Sequence, residues 1–159
     1  MYERILVPLD GSKIGEAALS YVEDLLSKLS PKVKAEVILL QVLSPVAPLV
    51  TGGEAFLPVD HTKEEMELNK KKAMDYLNRT AESLRSKGIT VTTKVGVGDA
   101  CEEIVKLAEG IKANLIAMST HGRSGFSRWA FGSVTDKVLR REGSIPITMV
   151  RAPRKAGKA

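Results

Sequence analysis

Cysteine is almost absent from this chain: Cys101 stands alone in 159 residues. One thiol rules out an internal disulfide framework and any thiolate cluster for zinc or iron–sulfur. Aromatic residues are scarce as well, seven in all. With so few rings to stack on bases, and with no helix-turn-helix or RNA-binding signature, nucleic acid is not expected as a partner. No run approaches the roughly 18 consecutive apolar residues of a membrane span. The opening "MYERILVPLD" carries acid and proline where a signal peptide would be continuously apolar. The chain is therefore expected to be cytoplasmic, without a membrane partner. No G-x-x-x-x-G-K-[ST] occurs, which excludes a P-loop NTPase.

What remains is an ordinary globular composition, 43% apolar and 27% charged, enough for one core. The net charge of +5 says little about partners. Four basic residues fall in the closing "RAPRKAGKA" and three more at Lys70–Lys72, a terminal tail and a solvated helix face. Residues 1–152 read as one domain and 153–159 as a basic, disordered tail.

Strand and helix patterns alternate along that domain. "ERILVPLD" is an apolar run stopped by Pro8 and Asp10, and Ile14, Ala17, Ala18, Tyr21, Val22, Leu25, Leu26 and Leu29 then recur at helical spacing. "KAEVILLQVL" is continuous enough for a strand covered on both faces. After a Pro/Gly-rich segment from Ser44 to Asp60, Thr62 and Glu65 form a capping-box pair ahead of a long helix that stops at Gly88. "ITVTTKVGV", a helix capped by Asp99, "ANLIAMS", a short helix from Ser133 to about Arg141, and "IPITMVRA" complete the series. The order βαβαβαβαβ predicts a doubly wound α/β domain, a five-stranded parallel sheet with helices on both faces. Ligands of such sheets bind beyond the carboxyl ends of the strands.

The connection from Thr120 to Gly132 has three glycines, three hydroxyl residues, two arginines and no acid. It ends in Gly132-Ser133 directly before a helix, where main-chain N–H groups and the helix dipole attract anions. Ser133 can cap that helix or bond a phosphate oxygen; Gly132 leaves room for a phosphate to approach. An everyday helix start beside solvated arginines explains the same residues, and local chemistry leaves both readings open. The length of the connection favours a functional loop. Asp10, in "LDGS", can accept hydroxyl hydrogen bonds from a ribose or close an Asx-turn, with Ser12 as a competing cap. If the first and fourth strands are neighbours, Asp10 and the Gly122–Ser133 stretch face one crevice. "GVGDAC" at Gly96–Cys101 lacks the third glycine of a dinucleotide fingerprint and reads as a turn.

In order and spacing, "ILVPLDGS", "ITVTTKVGVGDACEEIVKLAE", "ANLIAMSTHGRSGFSRWAFGSVTDKVL" and "IPITMVR" resemble the universal stress protein family over nearly the whole chain. Its nucleotide signature, G-x2-G-x9-G-[ST], is matched by Gly122, Gly132 and Ser133, with Ser119 in place of the first glycine. The resemblance implies a Rossmann-like fold of the adenine-nucleotide alpha-hydrolase type, strand order 3-2-1-4-5, and an ATP site. There Asp10 would contact the ribose, and the main chain near Pro8, Leu9 and Val42 would frame the adenine. Met118 and Ser119 would line the ribose side; Gly122, Arg123, Gly132, Ser133 and Val134 would hold the phosphates, which Mg or Mn would bridge. It also implies a homodimer through the last strand, in keeping with Pro146 as an edge-strand residue.

With only His61 and His121, the paired-histidine motif of related nucleotidyl transferases cannot form, and no SGG-type pyrophosphatase loop is present. No catalytic residue is assigned. The expected function is a regulatory, stress-response ATP-binding protein with an unknown regulatory partner. The alternatives are a dimeric interaction module without nucleotide, for which Ser119 is the argument, and a slow ATP hydrolase.

Overall fold

Five of the apolar runs pair into one parallel sheet in the computed structural model, which describes residues 2–30, 32–47, 50–51, 54–55, 59–120 and 132–152. Its strands are β1 (Tyr2–Leu9), β2 (Lys34–Leu43), β3 (Thr90–Val97), β4 (Leu115–Ser119) and β5 (Ile147–Val150), in the spatial order β3-β2-β1-β4-β5. The helices are α1 (Ala17–Ser27), α2 (Lys63–Arg85), α3 (Ala100–Gly110) and α4 (Ser133–Arg140). This is the doubly wound arrangement expected from the alternation, with β1 and β4 adjacent through Ile5↔Leu115 and Leu6↔Ile116.

The two-residue period of the strands divides the core. Ile5, Val7, Leu9, Val37 and Leu39 point to the side covered by Ala18 and Val22 of α1 and Leu77, Ala81 and Leu84 of α2. Leu6, Ile38 and Leu40 point to the other, against Ile104 and Ala108 of α3 and Val138 of α4. Burial on both faces is why β1 and β2 are nearly continuous in apolar residues. Register aligns the strand ends: Pro8 lies opposite Leu40 and Leu9 opposite Gln41, while Ser119 lies opposite Val150. The carboxyl ends of β1, β2 and β4 thus stop around one hollow.

Caps behave as the residue types require at two helices. Thr62 and Glu65 exchange both bonds of a capping box at α2, Glu65 N–H to Thr62 Oγ1 at 3.2 Å and Thr62 N–H to Glu65 Oε2 at 2.9 Å. Asp99 accepts from Glu102 N–H at 3.1 Å at α3. That backbone donor, with Lys137 adding, holds the Asp99 carboxyl below the usual carboxylate range.

Three particulars differ from expectation. Helix α1 begins at Ala17 rather than near Ile14, because Gly11 to Glu16 form turns; Ile14 is outside the helix and 38% exposed. Ser133 is the first helical residue of α4 and not its cap; the cap is Gly132, which has no side chain to offer. Within the Ser44–Asp60 segment, the described residues include two short antiparallel pairs, Val46–Ala47 with Val59–Asp60 and Val50–Thr51 with Glu54–Ala55. The edge position expected of the last strand is found: among the described residues β5 pairs with β4 alone. Gly122 and Arg123, together with the 153–159 tail, lie outside the described residues.

Candidate functional site

A cavity of about 450 Å³ opens at the carboxyl ends of β1, β2 and β4. That volume falls in the range of small-molecule sites. Pro8, Leu9, Asp10, Val42, Met118, Ser119, Gly132, Ser133 and Val134 all line it, nine of the eleven residues singled out from sequence; the other two are Gly122 and Arg123. Leu40, Ile104 and Met118 make its floor continuous with the core between the sheet and α3. A second hollow, about 540 Å³, lies at the amino ends of β2 and β3 around Ala35 and Thr90. Its Lys87 and Glu23 pair with each other at 2.6 Å, and it is at the wrong end of the sheet for the usual ligand crevice.

The anion-attracting part is built by a closed excursion of the chain. Thr120 N–H donates to Val150 O at 2.9 Å, which fixes the end of β4 against β5. Gly132 N–H then donates to Thr120 O at 3.1 Å, so the chain returns at the point where it left. Helix α4 starts there, with its first internal bond from Asp136 N–H to Gly132 O at 2.9 Å. The amides of Ser133, Val134 and Thr135 precede that bond and have no acceptor within the helix. Among the described residues this terminus has no side-chain cap, unlike α2 and α3. The acid of its first turn, Asp136, is tied to Arg140 Nε at 2.8 Å and raises the pKa of that guanidinium.

Gly132 has φ −53° and ψ 151°, a conformation open to any residue. Among the described residues, a Cβ placed there would meet only Thr120 O, at 4.0 Å. The backbone conformation at 132 therefore does not call for glycine, and the residue lines the cavity.

At the opposite wall, both sequence readings of Asp10 meet. Its Oδ1 accepts from Ser12 N–H at 2.9 Å and from Ser12 Oγ at 2.6 Å, the expected Asx-turn, and the same residue lines the cavity. An ionised carboxylate accepts at about four positions, so this turn is compatible with further hydroxyl donors. Gly15, Gln41, Ala100, Ile104 and Thr135 also line the cavity and were not singled out from sequence. Only Gly15 and Ala100 had a visible signal, as a small residue after strand one and as the start of the helix after strand three.

Among the described residues, no cluster of three or more His, Cys, Asp or Glu side chains is placed to hold a metal ion, and no helix is long and apolar enough to cross a membrane.

Comparison with known proteins gives one consistent answer. The family model described as the universal stress protein family matches residues 1–151. Universal stress protein MJ0531 of Methanocaldococcus jannaschii is 30% identical over 98% of this chain and 85% of its own. The solved structure of the protein MJ0577 superposes with a TM-score of 0.72 at 29% identity, covering 98% of this chain and 99% of that one. A universal stress protein solved in complex with cAMP has a TM-score of 0.62 at 19% identity, covering 94% and 97%; that likeness is one of fold.

Proposed function

Because the chain belongs to the universal stress protein family, we propose that its cavity is an adenine-nucleotide site, with ATP as the ligand and a regulatory, stress-response role. The observation that carries this is the uncapped amino end of α4, which shares one cavity with the Asp10 carboxylate. Charge and shape sort the ligand: amides and the positive helix end take phosphates, a carboxylate takes sugar hydroxyls, and the apolar floor between Val42 and Met118 takes the base. The relative solved with cAMP is a protein of this fold holding an adenine nucleotide.

In this reading Asp10 contacts the ribose, and the main chain at Pro8, Leu9 and Val42 frames the adenine. Met118 and Ser119 line the sugar side; Gly132, Ser133 and Val134, with Gly122 and Arg123, hold the phosphates. A Mg²⁺ or Mn²⁺ ion is carried by the phosphates, as Mg²⁺ commonly is, without a dedicated protein cage. Binding is favoured over turnover: Asp10 is the one titratable side chain among the described lining residues, and its place is at the sugar. The edge strand β5, half-buried along its length, is the surface through which we expect a homodimer.

Calorimetric titration of nucleotide-stripped protein with ATP and magnesium tests the reading. One saturable site per chain is expected. No heat and no competition by ATP at millimolar concentration would instead favour the interaction module.

A further inference from the structure

The residue that departs from the family's glycine signature has a definite task. Ser119 is buried at the end of β4, and its Oγ donates to Gly15 O at 2.7 Å while accepting from Ala18 N–H at 3.2 Å. Helix α1 has no side-chain cap of its own at Glu16, so Ser119 satisfies one of its orphan amides from across the sheet. Gly15 N–H in turn donates to Ser12 Oγ at 3.0 Å, and Ser12 grips Asp10 Oδ1 through both its hydroxyl and its amide. Every hydroxyl in the series donates once and accepts once. On the other side, Ser119 O accepts from Thr135 Oγ1 of α4 at 3.4 Å.

Gly15 fits this arrangement for a steric reason. A Cβ at that position would fall inside contact distance of Asp10 Oδ1 and 3.2 Å from Ser12 Oγ. The carboxylate occupies the space that a side chain would take.

We propose that Ser119 and Gly15 are positioning residues for Asp10: a relay running Ser119–Gly15–Ser12–Asp10 holds the carboxylate at the cavity wall and joins that wall to the amino end of α4. Serine at 119 thus does not mark loss of the site. It satisfies α1 from within the protein, leaving α4 as the helix end offered to a phosphate. The effect on ligand rests on the nucleotide reading above, whereas the relay itself is a property of the free protein.

The test has one arm for each. In the free full-length chain, amide exchange followed by NMR should speed up at Ser12 N–H by about tenfold in Ser119→Ala, the equivalent of one lost hydrogen bond. Exchange at Leu39, in the core of β2, should hold. Gly15→Ala should do the same from the other end by displacing Asp10 while Ser119 stays. It serves also if Ser119→Ala fails to fold.

In the second arm, affinity for ATP is compared with that for its 2′,3′-dideoxy analogue. The parent's preference for ATP should shrink about tenfold in both variants, with inorganic triphosphate binding unchanged. Unchanged Ser12 exchange in both variants overturns the proposal, as does equal weakening of the two nucleotides that leaves their ratio at the parent's value. A parent that binds neither nucleotide overturns the nucleotide reading, and the exchange arm then decides the relay alone.

Discussion

Gly132→Val should weaken ATP binding by at least about a hundredfold and leave the fold standing. The two halves of that statement come from different observations. The backbone at 132 is accessible to any residue, and among the described residues a Cβ meets nothing nearer than Thr120 O at 4.0 Å, so valine is expected to be accommodated. As a helix cap valine is poorer than glycine, which costs at most about 1 kcal/mol, or roughly 2–4 °C for a chain of this size. Its two methyl groups then occupy space in front of the Ser133 and Val134 amides. Hydrogen bonds to a charged partner contribute about 1.5–3 kcal/mol each. Losing two of them amounts to a factor of about a hundred or more. Calorimetry and thermal melting on the same preparation separate the outcomes. Parent-like affinity would mean the phosphates sit elsewhere; collapse of the fold would mean Gly132 is structural after all.

The largest effect on stability should come from the middle of the sheet. Leu39 is completely buried on the α1/α2 side, opposite Val7 of β1 and within the cluster holding Leu77, Ala81 and Leu84 of α2. Truncation at such a site removes transfer free energy and leaves a cavity that close packing cannot fill, about 2–5 kcal/mol in all. For Leu39→Ala that is on the order of 10 °C in melting temperature. Leu68→Ala, at a position of α2 that is itself 52% exposed, should stay within about 0.5 kcal/mol of the parent. Chemical denaturation of both variants checks the contrast. Equal effects would mean that the core does not lie between the sheet and α2 as described.

Much of this architecture was readable before the structure, because the patterns are local and agree with one another. Strands covered on both faces show as unbroken apolar runs, and Thr62 and Asp99 announce their helices by chemistry that acts over three residues. At the start of α1 the periodicity misleads, for an equally physical reason. Ile14 falls in helical phase with Ala17, Ala18 and Tyr21, but the Asx-turn from Asp10 to Ser12 and the bond from Gly15 N–H to Ser12 Oγ keep those residues in turns. Turn chemistry prevailed over periodicity.

The site divides in the same way. Asp10, Gly132 and Ser133 were visible because loops after parallel strands are where ligands gather, whereas Met118, inside β4, came from the family resemblance alone. The role of Gly15 was not visible, since beyond being a small residue after strand one its importance arises only when β4 lies beside β1 and brings residues a hundred positions apart into contact; Thr135 gave no signal, its bond to Ser119 O arising only once α4 packs on the end of β4. Serine at 119 carried the least information of all. On sequence it is a substituted glycine; in three dimensions its hydroxyl ties the first helix to the fourth strand.

The central claim is that the amides opening α4 hold the anionic part of a nucleotide. Amide ¹H–¹⁵N shifts of Ser133 and Val134, recorded as ATP and then adenosine are added, address it most directly. The account predicts large, saturable shifts at both amides with ATP and little change with adenosine. Saturation by ATP with Ser133 and Val134 unmoved, and the shifts gathered instead at Ala100 and Cys101 on α3, would contradict it.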